Sequence, residues 1–328
     1  MKKLLSAGLC LSMFLLAGCQ GQPQDTTLTI TDQAGREVTF EEPCQTAASG
    51  YYITTTIMIG LQQQDKLTGI EMKPETRPIY AKAAEEILDL PQLGNKKMFN
   101  VEECAKSDPD VVFLPVSLES YVEELEALDI PVVLLEPETA DDFEEAVEII
   151  GKVMGCEDKV DEYKQYEEDL LEKYELDEVE EEPTVYFAGS DLLTCATDDM
   201  YQGEILSYAQ ADNAIDAEGS SWVNIDIETL LAANPDYVFI EAGSLSADDF
   251  KNDARVQELQ AVQNDHVYVF PSTLETWDTP SLSSCLGKLW AASILHPELV
   301  SMDDVEAEAV AFYEQFYGFT PEAQDLAL

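Results

Sequence analysis

The chain has 328 residues, with 45% hydrophobic side chains and aromatics spread throughout, which is enough for two domains with sizeable cores. Its 67 acidic and 17 basic residues give a formal net charge of −50. That balance excludes nucleic acid, which needs a basic footprint, and electrostatic attraction to anionic lipid; it suits a solvated, soluble surface.

Residues 1–18 read as an address. Lys2 and Lys3 form a basic start, and Leu4 to Leu16 is an apolar run too short to span a bilayer. The run ends in Leu16-Ala17-Gly18-Cys19, which resembles the lipobox of bacterial lipoproteins. The resemblance implies cleavage before Cys19 and a lipid on that cysteine, anchoring the protein to the outer face of the cytoplasmic membrane. Residues 19–26 are then a polar tether. Cys44, Cys104, Cys156, Cys195 and Cys285 are scattered, form no CxxC pair, and read as buried small hydrophobes.

A first lobe is expected over 27–156. Thr27 to Phe40 alternates on both sides of Asp-Gln-Ala-Gly and predicts a β-hairpin. Helices are predicted from Ile53 to Leu61, Ile79 to Leu88, Ser120 to Leu128 and Asp141 to Val153, with strands at Leu67 to Ile70 and Val132 to Leu135. Glu157 to Glu178 carries apolar residues at Val160, Tyr163, Leu170, Leu171 and Tyr174, the stripe of one amphipathic helix. Its roughly 22 residues would reach about 33 Å. A lobe-spanning helix over 157–179 therefore precedes an acidic run, Pro183 and a second lobe at 180–328. That lobe repeats the alternation: a strand at 184–188, a helix from Gln202 to Gln210, a strand from Val267 to Phe270, and helices from Leu282 to Leu295 and Asp303 to Phe316.

One phrase occurs in both lobes. Val101-Glu-Glu-Cys-Ala-Lys-Ser-Asp-Pro-Asp-Val-Val-Phe-Leu114 parallels Ile227-Glu-Thr-Leu-Leu-Ala-Ala-Asn-Pro-Asp-Tyr-Val-Phe-Ile240. Each reads as an N-cap (Asn100, Asp226), a short helix with a Glu in its first turn, a proline stop and a buried parallel strand. The fold class predicted is α/β: two lobes with mostly parallel sheets, one long helix between them, and a ligand cleft where the strands' carboxyl ends meet.

Nearly all of the mature chain resembles the solute-binding proteins of ABC importers that take up metal chelates. The residues carrying the resemblance are Thr31-Asp-Gln-Ala-Gly-Arg-Glu-Val, Ile59-Gly-Leu-Gln-Gln-Gln-Asp-Lys-Leu-Thr-Gly-Ile70, both Pro-Asp phrases, Gly155-Cys-Glu-Asp-Lys-Val, and Leu286-Gly-Lys-Leu-Trp-Ala-Ala-Ser-Ile-Leu-His-Pro-Glu-Leu299. The resemblance implies lobes that hinge little, and a monomer that delivers its ligand to a permease dimer with its ATPase subunits. It further implies that Glu102 and Glu228, one per lobe, dock on the two permease subunits. The ligand classes it implies are ferric siderophores, corrinoids, haem, and oxyanions such as molybdate or tungstate.

The loops after the strands give the cleft candidates Tyr51, Tyr52, Lys73, Arg77, Ser117, Asp191, Trp222 and Trp277. Aromatic faces suit a broad ligand, and Lys73 and Arg77 suit an anionic group on it, so an iron chelate fits best. Trp222 resembles a tryptophan that cobalamin-binding relatives place in the cleft. Tyr80 and Trp290 sit in helical stripes and read as core. A bare-metal site and a resident cofactor are not expected, since only His266 and His296 are present and neither is in a cleft loop. No nucleophile elbow, P-loop or His beside a nucleophile is found, so an enzyme is the poorer reading, as is an adhesin with an unused cleft.

Overall fold

The computed structural model describes residues 27–176, 179, 182–219 and 221–328; the expected signal, Cys19 and the expected tether lie outside the described residues. The predicted hairpin is β1 (Leu28–Thr31) against β2 (Glu37–Phe40). Asp32 in its turn is buried and accepts hydrogen bonds from the amides of Ala34 and Arg36, and from that of Leu134 at 3.1 Å. One carboxylate thus closes the hairpin and fixes it to the first lobe.

In that lobe, β3 (Ala47–Ser49), β4 (Leu67–Gly69), β7 (Val111–Pro115) and β8 (Val132–Leu135) form a parallel sheet in the order β4-β3-β7-β8. Between β4 and β7 lies a hairpin of two-residue strands, β5 (Gly94–Asn95) and β6 (Met98–Phe99). Every residue of β7 and β8 is buried, as expected of parallel strands covered on both faces. The second lobe has β9 (Thr184–Ala188), β10 (Thr194–Cys195), β11 (Asp212–Asn213), β12 (Val223–Asn224), β13 (Tyr237–Ile240) and β14 (Val267–Val269). Its order is β12-β10-β9-β13-β14, with β11 also on β9. The pairs of β9 with β11 and β13, and of β13 with β14, are parallel; β10 and β12 are antiparallel additions.

The spanning helix runs Glu157–Lys173, shorter than the stripe predicts. Its 17 residues reach about 25 Å. Val160, Tyr163 and Leu170 are its buried stripe, but Tyr174 leaves helical geometry because its carbonyl is taken by the Tyr208 hydroxyl (3.1 Å) and its own hydroxyl meets Glu308 (3.0 Å). Two other helices also end early. The segment predicted from Ile79 splits into Pro78–Ala83 and a 3-10 turn at Glu85–Asp89, and the last long helix is α-helical over Met302–Phe312 before a wider π turn at Tyr313–Tyr317. The largest core runs unbroken from the hairpin through both lobes to these C-terminal helices, while smaller cores fill the far side of each sheet. Tyr80 and Trp290 lie in the large core. The five described cysteines are free and buried, and burial pushes the thiols of Cys44 and Cys104 up to about 12.

The repeated phrase folds the same way twice. Asn100 and Asp226 each accept the amide of the residue three positions on (3.0 and 2.8 Å). Each helix ends on a left-handed residue, Asp108 or Asn234, just before the proline. The aspartate after the proline is a clamp on the lobe's first strand. Asp110 accepts the amides of Gln45 and Thr46 (both 2.9 Å) ahead of β3, and Asp236 accepts the amide and hydroxyl of Thr184 (2.9 and 2.8 Å) at the start of β9. The register agrees: Val111 pairs with Ala47 and Tyr237 with Val185.

Candidate functional site

The carboxyl ends of β3 and β4 deliver Gly50, Tyr51, Tyr52, Glu71 and Arg77 to one cavity of about 400 Å³, to which the β5–β6 turn adds Asn95, Lys96 and Lys97. A second cavity of about 230 Å³ shares Tyr52 and Arg77 and continues to residues 272–276 and 279–281 of the other lobe. The two together are the cleft. The lobes touch at its floor, where the Ile79 amide donates to the Leu274 carbonyl (3.3 Å). A third cavity, about 410 Å³, lies beside the spanning helix among Tyr163, Lys164, Glu167, Glu204 and Lys288. It is away from the strand ends, and both its lysines are already paired, Lys288 with Glu204 at 3.0 Å and Glu167 at 3.8 Å, and Lys164 with Glu144 at 2.5 Å and Glu148 at 2.6 Å.

The cleft's cations are held by stacking and by counter-ions. The Arg77 guanidinium lies 3.9 Å from the Tyr52 ring centre, and the Lys96 ammonium 4.9 Å from that of Tyr51. The two rings meet edge to face at 5.4 Å. Glu71 is buried, accepts the hydroxyls of Thr55 (2.8 Å) and Tyr80 (2.7 Å), and stands 3.9 Å from Arg77. Burial raises its carboxyl, and those hydroxyls and Arg77 oppose the rise. Lys96 is 3.6 Å from Glu138. The Tyr52 hydroxyl is raised by burial, drawn back by Arg77, and raised again by Glu138 and by Glu241 and Asp278 of the second lobe. Carboxylates of both lobes therefore act on the same ring. The helix Tyr52–Gly60, which carries Tyr52 into the cleft, begins without a side-chain cap.

The structure brings Tyr51, Tyr52 and Arg77 together. Lys73 is exposed in a left-handed turn outside both cavities. Ser117 donates to the Lys96 carbonyl (3.1 Å), so its described contact is with the β5–β6 turn. Asp191 accepts the Leu193 amide (3.0 Å) within its own turn. Trp222 is half-buried and lies over Gly189, where an added Cβ would fall 2.6 Å from the ring. Trp277 is a correction: it is wholly buried and donates to the Tyr313 hydroxyl (3.0 Å), because the C-terminal helices pack over it. It offers no face to a ligand. His296 is buried on the Ala209 carbonyl (2.9 Å) and His266 stacks on Tyr237. Among the described residues no cluster of three or more His, Cys, Asp or Glu is placed to hold a metal ion.

Lys96 and Lys97 were not among the sequence candidates. Their signal was the turn Gly94-Asn95-Lys96-Lys97, in which Asn95 accepts the Lys97 amide (2.9 Å).

This two-lobed arrangement has known counterparts: the periplasmic binding protein family matches residues 48–274. The chain belongs to that family. A molybdate-binding protein, MolA of Haemophilus influenzae, is 23% identical over 317 residues, 88% of this chain and 90% of the relative. The structure of MolA bound to molybdate superimposes with a TM-score of 0.76 at 22% identity, covering 90% of this chain and 99% of that one. A periplasmic solute-binding protein from Veillonella parvula gives 0.79 at 21% identity, covering 92% and 97%. CeuE of Helicobacter pylori, solved with nickel and histidine, gives 0.72 at 18% identity, covering 91% and 97%. As a periplasmic binding protein the chain is an extracytoplasmic solute-binding component of an ABC transporter. The family is one of substrate-binding proteins for transport, not an enzyme class. Among the described residues no helix is long and apolar enough to cross a membrane.

Proposed function

We propose that the chain is anchored by a lipid on Cys19 and captures a metal chelate carrying an anionic group, a ferric siderophore being the fitting class, for delivery to an ABC permease dimer and its ATPase. The observation that carries the ligand reading is the gathering of Arg77, Lys96 and Lys97 around Tyr51 and Tyr52, in a chain with only 17 basic residues. Cavities of about 400 and 230 Å³ that meet at Tyr52 and Arg77 suit a drug-sized ligand. The burial of Trp277 removes one aromatic support for a corrinoid. Neither His266 nor His296 lines the two cavities of the cleft, which leaves haem without an imidazole axial ligand there. An oxyanion of the molybdate type is the second reading, favoured by the similarity to MolA.

Tryptophan fluorescence titration with ferric siderophores, cobinamide, haemin and molybdate separates these. Saturable quenching by an iron chelate is expected, and Arg77→Ala should weaken it by about 10- to 100-fold, as expected when one partner of a desolvated charged contact is removed. A response to molybdate or cobinamide alone would replace the ligand while keeping the binding protein. For the anchor, Cys19→Ala should abolish incorporation of labelled lipid; normal labelling of the variant would refute it.

A further inference from the structure

We propose that Glu71 and Glu138 set the charge of the group the cleft accepts: they trim its cation wall to one net positive charge, which favours a singly charged anion over a compact dianion. This deepens the metal-chelate reading of the cleft and rests on it. The larger cleft cavity is lined by four charged side chains, Arg77, Lys96, Lys97 and Glu71. Arg77 offers an open fork. Its guanidinium carbon stands 3.9 Å from the Tyr52 ring centre, and among the described residues none of its side-chain N–H groups has a hydrogen-bond partner. Glu71 stands on the Nε side, its Oε1 3.9 Å away. It is buried and held in place: Oε1 accepts the Tyr80 hydroxyl (2.7 Å) and Oε2 the Thr55 hydroxyl (2.8 Å). Two hydroxyl donors and a neighbouring guanidinium all favour the ionised carboxylate. Glu71 is therefore a fixed counter-charge beside Arg77, and it leaves the terminal nitrogens of the fork to a ligand.

The hairpin side of the cavity is arranged in the same way. Lys96 has Glu138 at 3.6 Å, while Lys97 has no ion pair among the described residues. Three cations against two carboxylates leave one positive charge. A monoanion is matched by that wall. A dianion would keep one negative charge unmatched beside Glu71, in a chain already at −50. The energy between a fixed charge and a ligand scales with the ligand's charge. Removing one carboxylate should thus leave a neutral ligand alone, strengthen a monoanion by some factor, and strengthen a dianion in the same place by the square of that factor.

The test is equilibrium titration with three probes: a ferric trihydroxamate chelate whose one free carboxylate is its only net charge, the methyl ester of that chelate, and molybdate. Glu71→Gln keeps the shape, and its amide can still meet both hydroxyls. It should bind the carboxylate form about tenfold more tightly than wild type, the ester equally, and molybdate about 100-fold more tightly. Adding Arg77→Ala should abolish the gain, because Glu71 acts through that guanidinium. Glu138→Gln, at a side chain that is 47% exposed, should act in the same direction by about threefold, and it keeps the test open if thermal unfolding shows the buried variant to be unfolded. No gain for the carboxylate form in a folded variant, or an equal change for acid and ester, overturns the counter-charge role alone. Failure of wild type to bind either chelate form overturns the chelate reading, and this assignment with it.

Discussion

Reversing the charges of Glu102 and Glu228 together to lysine is expected to abolish uptake in cells while leaving ligand affinity within about twofold, a change below 0.5 kcal/mol. Among the described residues neither glutamate side chain caps a helix or clamps a strand, and its interaction with the helix dipole needs no particular position in both lobes. The Glu102 side chain is 82% exposed and, among the described residues, pairs with Lys106 (3.0 Å), an exposed ion pair of the kind that contributes little. Glu228 is exposed beside the Asp226 cap. In the same phrase the structural tasks fall to the caps and to Asp110 and Asp236, which clamp the strands. A single feature left exposed at the same helical position of both lobes suits a partner with two like subunits. Both glutamates are exposed, so losing their interaction with the helix dipole costs little and the variant still folds. Uptake of radiolabelled chelate and equilibrium affinity, measured on the same variant, decide the matter. A large loss of affinity, or undiminished uptake, sinks the docking role.

The sequence was most informative where one period dominated. The continuous apolar runs of β7, β8, β9 and β13, each of four or five residues after a turn signal, suit parallel strands covered on both faces, and the doubled phrase marks two lobes. Legibility fell where tertiary contacts decide. Glu275-Thr276-Trp277-Asp278 is polar at three of four positions and reads as an exposed loop. It is instead roofed by the segment around Tyr313, which no local pattern reveals. Lys96 and Lys97 hid for another reason: β5 and β6 have two residues each, too few to show alternation. The spanning helix was overlong on paper because its stripe continues through Tyr174, whereas hydrogen bonds from Tyr208 and to Glu308 redirect the chain there.

That same buried loop makes stability depend on pH in an unusual direction. Asp278 is wholly buried with Oδ1 unpartnered, and burial, reinforced by Glu241, pushes its carboxyl up to about 7 against the Ala242 amide and Thr276. Both carboxylate oxygens of Glu275 are shut from solvent, and none of the neighbouring hydroxyls meets them in hydrogen-bond geometry. Burial raises it to about 7 as well, with Tyr317, Ser283 and Arg77 offsetting part of the rise. In the unfolded chain such groups titrate near 4. Between about pH 4 and 7 the folded state therefore binds more protons than the unfolded one, and stability must fall as pH rises. Each group contributes about 3–4 kcal/mol that is present below pH 4 and lost as pH passes 7. Neutralising the surface of a chain at −50 acts in the same direction, so the slope in the wild type alone does not identify these two carboxyls. Asp278→Asn does, because its amide oxygen still accepts the Ala242 amide while nothing remains to ionise. Urea unfolding at pH 5, 6, 7 and 8 should show wild type losing several kcal/mol across the series. Asp278→Asn and Glu275→Gln should each flatten that loss by about one group's share, and the double variant more than either. Identical slopes in all four proteins would mean that both carboxyls are ionised in the folded state, with water or a cation reaching them.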